Sequence, residues 1–141
     1  MGRIAYTGFP PDQGFASSMH SHRQYDTVAF DVRDNAAMLF FARTSASGDI
    51  DDYLLLMRAD GADSADALYI EVNERQFAGH GLVREARLTP DVLTLDLCAP
   101  AAELDGATRL VLAFEGSPEN RANVQAGAFR ILGDCLAGGH A

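Results

Sequence analysis

Residues 28–43 read Val-Ala-Phe-Asp-Val-Arg-Asp-Asn-Ala-Ala-Met-Leu-Phe-Phe-Ala-Arg and predict a β-hairpin. The larger apolar residues occupy every second position from Val28 to Val32, which is the period of a strand with one buried face. Asp34-Asn35 has the length and composition of a hairpin turn. Residues 36–43 are largely apolar at consecutive positions, which favours a central strand that is covered on both faces.

The period of two continues on the C-terminal side of this hairpin. Short polar turns separate the segments, and we expect antiparallel neighbours because a parallel crossover needs a dozen residues or more. Five further strands are predicted, at residues 53–58, 68–73, 82–88, 93–97 and 110–114. With the hairpin, they give a mostly antiparallel sheet of about seven strands.

One helix is predicted after the last strand, from Ser117 to Gly133. Ser117 can cap its start, and Pro118 fits the first turn because no donor is lost there. Gly127 lies inside the helix and costs about 1 kcal/mol relative to alanine. Gly133 is expected to end the helix in the left-handed conformation. A single apolar stripe is formed by Val124, Ala128, Ile131 and Leu132.

Strands followed by one helix predict an α+β fold in which the helix packs on one face of the sheet. Residues 1–24 are rich in glycine, proline and serine and show little periodicity, so we expect an irregular N-terminal arm there. Residues 25–141 are predicted to form a single α+β domain, and the length of 141 residues fits that number.

Acidic residues outnumber basic residues by 20 to 11, which gives a formal net charge of −9. This balance argues against nucleic acid as a partner, because that affinity comes mostly from Lys and Arg that neutralise phosphates. An anionic membrane surface is disfavoured for the same reason. The longest apolar run, residues 36–42, is far shorter than the roughly 20 residues of a membrane-spanning helix. With no signal-peptide pattern at the start, we expect a cytoplasmic protein.

The motifs of catalysis are missing from the sequence. There is no Gly-x-Ser-x-Gly elbow, and Gly79-His80-Gly81 lacks the further residues of a phosphate-binding loop. No histidine has an evident route to Cys98. Cys98 and Cys135 are both expected to be small, partly buried apolar side chains. The residues therefore give no support for nucleophilic catalysis or for a phosphate-binding loop.

Two segments carry residues that metals favour. His20 and His22 are two positions apart, so on a strand both imidazoles would point to one side, but a site needs further ligands. Residues 60–66 hold three aspartates at a spacing of three, although the order of an EF-hand loop is absent. Metal binding at either segment stays an alternative, beside exposed histidines and a solvated loop.

Acidic residues are concentrated in residues 49–74. This segment contains eight acidic residues and one basic residue, Arg58, and so contributes −7 of the total charge of −9. This cluster is either a solvated face or a binding surface for a cationic protein, because interfaces use complementary charge for steering and register. Tyr69 shares a predicted strand face with Glu71, and an aromatic ring flanked by polar groups is a plausible anchor. The candidate partner-binding residues are Asp49, Asp51, Asp52, Asp60, Asp63, Asp66, Tyr69, Glu71 and Glu74.

The segments Asp51–Arg58, Leu68–Asn73 and Gly79–Leu82 resemble, in order and spacing, the immunity protein 10 family of bacterial polymorphic toxin systems. The resemblance continues through residues 93–97, 101–104 and 110–114 and the closing helix, and so covers roughly residues 50–134. It implies a protein that binds and neutralises a cognate toxin by protein–protein contact, without catalysis or cofactor. An acidic immunity protein would suit a basic nuclease toxin.

Two other interpretations stay open. One is a small-ligand or metal-binding α+β module. The other is a homo-oligomer whose exposed edge strands pair, which is compatible with either function.

Overall fold

The computed structural model describes residues 20–59, 68–73 and 76–136. Most of this chain is strand, and one α-helix follows the last strand. The strands are β1 (His20–Tyr25), β2 (Thr27–Arg33), β3 (Ala36–Thr44), β4 (Ile50–Ala59), β5 (Leu68–Val72), β6 (Phe77–His80), β7 (Val83–Thr89), β8 (Val92–Ala101) and β9 (Ala107–Phe114). The helix α1 (Pro118–Gly127) continues into a π-helical turn (Ala128–Leu132), and short 3₁₀ turns lie at Ala102–Leu104 and Gly133–Cys135.

The hairpin predicted from residues 28–43 is confirmed as β2 and β3. Asp34 and Asn35 have φ values of 54° and 64°, which is the left-handed pair that a two-residue type I′ turn needs. Arg33 pairs with Ala36, and the register then runs without a break to Thr27 opposite Ala42. This turn therefore fixes which residues of β2 face the core.

The strands form two sheets rather than the single sheet of about seven strands that we predicted. Their orders are β1-β9-β8-β7 and β2-β3-β4-β5-β6. The α+β class is broadly right, but a period of two cannot tell whether consecutive strands share a sheet. The chain changes sheet between β1 and β2 and again at Gly81, whose φ of 68° lets it turn sharply between β6 and β7.

Residues 20–24 were assigned to the irregular arm, and the structure places them in β1. This strand pairs in parallel with β9, with His20 opposite Arg109 and Tyr25 opposite Phe114. Its polar sequence, His-Ser-His-Arg-Gln-Tyr, carries no apolar alternation, so the pattern could not reveal it. The rest of the predicted arm, residues 1–19, lies outside the described residues.

The inner faces of the two sheets share one core. Phe41 in β3 is fully buried, and its ring lies 5.7 Å from Tyr25 of β1 and 6.1 Å from Phe114 of β9, centroid to centroid. These contacts join one sheet to the other. The largest fully buried side chains include Leu39, Leu54, Leu56, Ile70, Leu93, Leu95, Leu110 and Leu112.

The helix begins as predicted, because the Ser117 hydroxyl accepts a hydrogen bond from the Asn120 amide and Pro118 is the first helical residue. It packs on the inner side of the five-stranded sheet, where Gly127 lies against Leu39. Its end differs from the prediction. The last turn is π-helical, and Gly133 has φ 12° and ψ −87° rather than the left-handed conformation.

A candidate protein-binding face

The outer face of the five-stranded sheet, the side away from the core, carries large apolar and aromatic side chains. Register places Met38 opposite Met57 and Phe40 opposite Leu55. On the next strand, Tyr69 lies opposite Met57 and Glu71 lies opposite Leu55. We call this set the outer face: Met38, Phe40, Tyr53, Leu55, Met57, Tyr69 and Glu71, all of which are partly exposed.

The Glu71 carboxylate lies between two tyrosine hydroxyls on this face. Tyr53 donates to Oε2 over 2.6 Å, and Tyr69 donates to Oε1 over 2.7 Å. Each hydroxyl takes a different oxygen, so together they fix the orientation of the carboxylate. The predicted pairing of Tyr69 with Glu71 on one strand face is therefore observed, with Tyr53 as a further member.

Aromatic packing extends this cluster on both sides. The rings of Phe40 and Tyr53 stack, with centroids 5.5 Å apart and an interplanar angle of 28°. On the other side, the His80 ring lies 5.0 Å from Tyr69. The carboxylate thus lies within a nearly continuous row of rings that crosses four strands, β3 to β6.

Tyr53 is also held by its backbone, next to the last residue of β4 that pairs with β5. Its amide donates to the Asn73 side chain over 2.8 Å, and its carbonyl accepts from the Asn73 amide over 3.2 Å. Asn73 has a φ of 46°, a conformation that asparagine tolerates better than most residues. These two hydrogen bonds fix the position of the Tyr53 backbone, from which the side chain extends to Glu71.

Asp52 belongs to the predicted binding set, but the structure places it in an internal network. Its carboxylate lies 3.2 Å from the Arg23 guanidinium and 3.9 Å from that of Arg43, and it accepts a hydrogen bond from the Tyr25 hydroxyl. Its side chain is only 12 % exposed. Burial raises the pKa of Tyr25, so this hydroxyl stays a donor. Asp52 therefore ties β4 to β1 of the other sheet.

Asp49 and Asp51 are exposed near the start of β4. Arg43 pairs with Asp52 and Thr44 pairs with Ile50, so Asp51 is the extra residue of a β-bulge. Asp49 accepts a hydrogen bond from the Ser47 hydroxyl in the turn. Both acids remain candidates for electrostatic steering from one end of the outer face.

The remaining predicted acids, Asp60, Asp63, Asp66 and Glu74, lie outside the described residues. Residue 60 directly follows β4, whose ten residues span about 30 Å. Asp49 and Asp51 therefore lie near the end of β4 that is away from Ala59.

Arg58 was counted as the one cation that opposes these acids, yet its side chain faces the interior. It is 8 % exposed, and its Nε donates to the Ile131 carbonyl over 2.8 Å. Arg58 thus connects the π-helical turn to β4.

The sequence did not reveal four residues of the outer face: Met38, Phe40, Tyr53 and Met57. Consecutive apolar residues in β3 and β4 favoured strands that are buried on both faces.

The outer side of the four-stranded sheet is charged instead of apolar. Asp96 and Arg109 are opposite each other and form a hydrogen-bonded ion pair. This hydrogen bond raises the pKa of Arg109. Arg84 approaches Asp96, and Arg87 approaches Glu85. The charges on this side are matched within the chain, which leaves the outer face as the better candidate for recognition.

The pair His20 and His22 gains no further ligand in the described part of the chain, and the loop of residues 60–66 lies outside the described residues. The His20 and His22 rings are 5.9 Å apart, and no group of three or more His, Cys, Asp or Glu residues there is placed to hold a metal ion. Neither cysteine forms a disulfide; Cys135 is buried, whereas Cys98 is exposed and not partly buried as expected. Cys98 lines a cavity of about 260 Å³ together with Phe77, Leu82, Pro100 and Glu103.

No protein-family model matches this sequence, and no curated protein is detectably similar to it. The one α-helix in the described residues is too short to cross a membrane.

Proposed function

We propose that this protein is an immunity protein that binds and neutralises a cognate bacterial toxin through the outer face, without catalysis. The observation that carries this proposal is the arrangement of Tyr53, Glu71 and Tyr69 within a partly exposed apolar surface. The resemblance of residues 50–134 to the immunity protein 10 family, which no family model matches, is part of this proposal and is tested with it. We place this encounter in the bacterial cytoplasm.

The composition of the outer face supports protein recognition. Tyrosine, phenylalanine and methionine are enriched in interfaces, where they supply large contact areas. The inner face of the same sheet is covered by the second sheet and by α1, whereas Met38, Phe40, Leu55 and Met57 keep part of their surface exposed. A partner that covers them would gain hydrophobic free energy from side chains already held in place.

Glu71 defines the chemistry that we expect of the partner. The Glu71 carboxylate is partly exposed and adds negative charge to an otherwise apolar face, and interfaces bring opposite charges together. We therefore propose that the toxin presents an arginine or lysine to Glu71, surrounded by apolar residues. The acids of residues 49–66 would speed the approach of a basic toxin, because complementary charge raises association rates.

The test of this function is protection against the toxin encoded beside the gene. Co-expression should restore growth of cells that produce this toxin, and the two purified proteins should form a stable complex. A variant with Leu55→Asp and Met57→Asp on the outer face should lose both properties. The matched control, Arg87→Asp, lies on the other sheet and should keep both. Absence of a complex, or protection that survives the outer-face variant, would contradict the proposal.

Steering can be tested separately from docking. Replacing Asp60, Asp63 and Asp66 with asparagine should slow association and flatten its dependence on salt, with little change in dissociation. Stopped-flow measurements over a range of salt concentrations give both rates. An unchanged association rate at low salt would remove residues 60–66 from the interaction.

A further inference from the structure

The edge of the five-stranded sheet at β2 is only partly covered. In a two-residue hairpin, the pair next to the turn is hydrogen-bonded, and hydrogen-bonded pairs then recur at every second position. Arg33 and Ala36 form this first pair, so Arg33, Asp31 and Ala29 direct their backbone groups toward β3. Val28, Phe30 and Val32 have the opposite parity and direct their amides and carbonyls away from the sheet.

Helix α1 covers the first of these three residues. The Asn120 side chain accepts a hydrogen bond from the Val28 amide over 3.1 Å, and the Asn123 side chain donates to the Val28 carbonyl over 3.0 Å. These contacts confirm that the backbone amide and carbonyl of Val28 point away from β3, while its side chain lies in the core. Within the described part of the chain, no hydrogen bond occupies the outward backbone groups of Phe30 or Val32. Val32 is also one of the few large apolar residues that are well exposed, at 42 %.

We infer that β2 is a pairing site for β2 of a second copy of this chain, in antiparallel register with Val32 opposite Val32. The two valines would exchange backbone hydrogen bonds across a two-fold axis, and two five-stranded sheets would become one of ten strands. This inference concerns a surface separate from the outer face and does not depend on the proposed function.

The charges beside Val32 select this register. With Val32 opposite its copy, Arg33 of each chain lies opposite Asp31 of the other, and opposite charges across strands are favourable. A shift that places Phe30 opposite Val32 would instead place Asp31 opposite Asp31, and like charges there are unfavourable. Within one chain Arg33 and Asp31 are already an exposed ion pair at 2.8 Å, so both carry their charge at the edge.

Helix α1 is compatible with the same register. The second strand would end beside Phe30, because its own chain turns at Asp34, and so it would not reach Val28 or the asparagines that cover it. The paired segment is short. Since stable interfaces commonly bury about 1,600 Å² in total, we expect a weak dimer that forms only at high protein concentration.

Sedimentation equilibrium from micromolar to millimolar concentration tests this pairing. The native chain should show a monomer–dimer equilibrium. Arg33→Asp should weaken it about tenfold or more, because two attractive pairs become repulsive. The double variant Asp31→Arg/Arg33→Asp restores complementarity and should restore the dimer. Arg87→Asp changes the net charge equally on the other sheet and should have no effect.

Val32→Pro gives a second, uncharged test. Proline removes the outward amide of Val32, but leaves the hydrogen bonds between β2 and β3 in place, and edge strands tolerate it. Its urea midpoint confirms that the variant is folded, and it should be monomeric throughout the concentration range. A native chain that stays monomeric at millimolar concentration overturns the inference, as does a dimer that Arg33→Asp leaves unchanged.

Discussion

Tyr53 donates a hydrogen bond to Glu71 across neighbouring strands, although the two residues are not opposite each other. Leu55 is the register partner of Glu71, so Tyr53 reaches the carboxylate along the diagonal, over 2.6 Å. Diagonal neighbours lie farther apart than direct partners, and only long or aromatic side chains span that distance. The position of Glu71 therefore depends on the register of β4 and β5 and on the length of a tyrosine.

Asp52 and Asp51 are adjacent acids for which we predict different effects. Asp52→Asn should lower the free energy of unfolding by about 2 kcal/mol, because Arg23 loses its anion in a largely buried place. Asp51→Asn should stay within about 0.5 kcal/mol of the native protein, since its side chain is exposed. Urea titrations of both variants check this, and equal effects would refute the internal role of Asp52.

Gly127→Ala should destabilise the protein, against the expectation from helix propensity. A Cβ at Gly127 would lie 2.7 Å from a terminal methyl of Leu39, which is fully buried and has little room to move. Overpacking of this kind costs roughly 1–3 kcal/mol, and alanine regains only about 1 kcal/mol of propensity, so we expect a net loss of about 1 kcal/mol.

The control for this substitution is Ala126→Gly, at an exposed position of the same helix. This substitution should lower the free energy of unfolding by about 1 kcal/mol, because glycine has a lower helix propensity than alanine. Thermal or urea unfolding gives both values. A stabilised Gly127→Ala variant would show that the helix is not packed closely on Leu39.

Asp26 should make the stability of the protein depend on acid pH. Its carboxylate accepts hydrogen bonds from the Thr44 amide over 2.9 Å and from the Thr27 hydroxyl over 2.7 Å, and these lower its pKa from the ordinary value of 3.8. A lowered pKa in the folded state contributes stability above the ordinary value, and this contribution is lost as the pH falls through the folded value.

Asp26→Asn should therefore be less stable than the native protein at neutral pH, and the difference should shrink below about pH 4. Urea midpoints measured for both proteins from pH 7 down to pH 3 show this trend. If the difference in stability between the two proteins stayed constant from pH 7 to pH 3, the hydrogen bonds to the Asp26 carboxylate would not stabilise the folded protein.

The sequence predicts local features well where one segment contains all the information. The Asp34-Asn35 turn, the alternating faces of β8 and β9 and the Ser117 cap depend only on neighbouring residues, and all three are observed. Strand β1 was not predicted because its residues are polar and it is held by pairing with β9, about 90 positions away along the chain.

The candidate site was only half predictable for the same reason. Tyr69 and Glu71 are two apart on one strand, so their common face follows from the strand period. Tyr53 joins them only through the pairing of β4 with β5, which no local pattern specifies. Asp52 looked like a surface acid because its partners, Arg23 and Tyr25, come from the strand that was missed.

We propose that Glu71, held by Tyr53 and Tyr69, is an anchor for a cationic group of a toxin. The most direct measurement compares the dissociation rates of the toxin complex for the native protein, for Glu71→Gln and for Asp51→Asn. We expect Glu71→Gln to speed dissociation about 30-fold or more, which is the effect of truncating one partner of a buried charge pair. Asp51→Asn should leave the dissociation rate nearly unchanged. Equal dissociation rates for Glu71→Gln and the native protein would contradict the proposal.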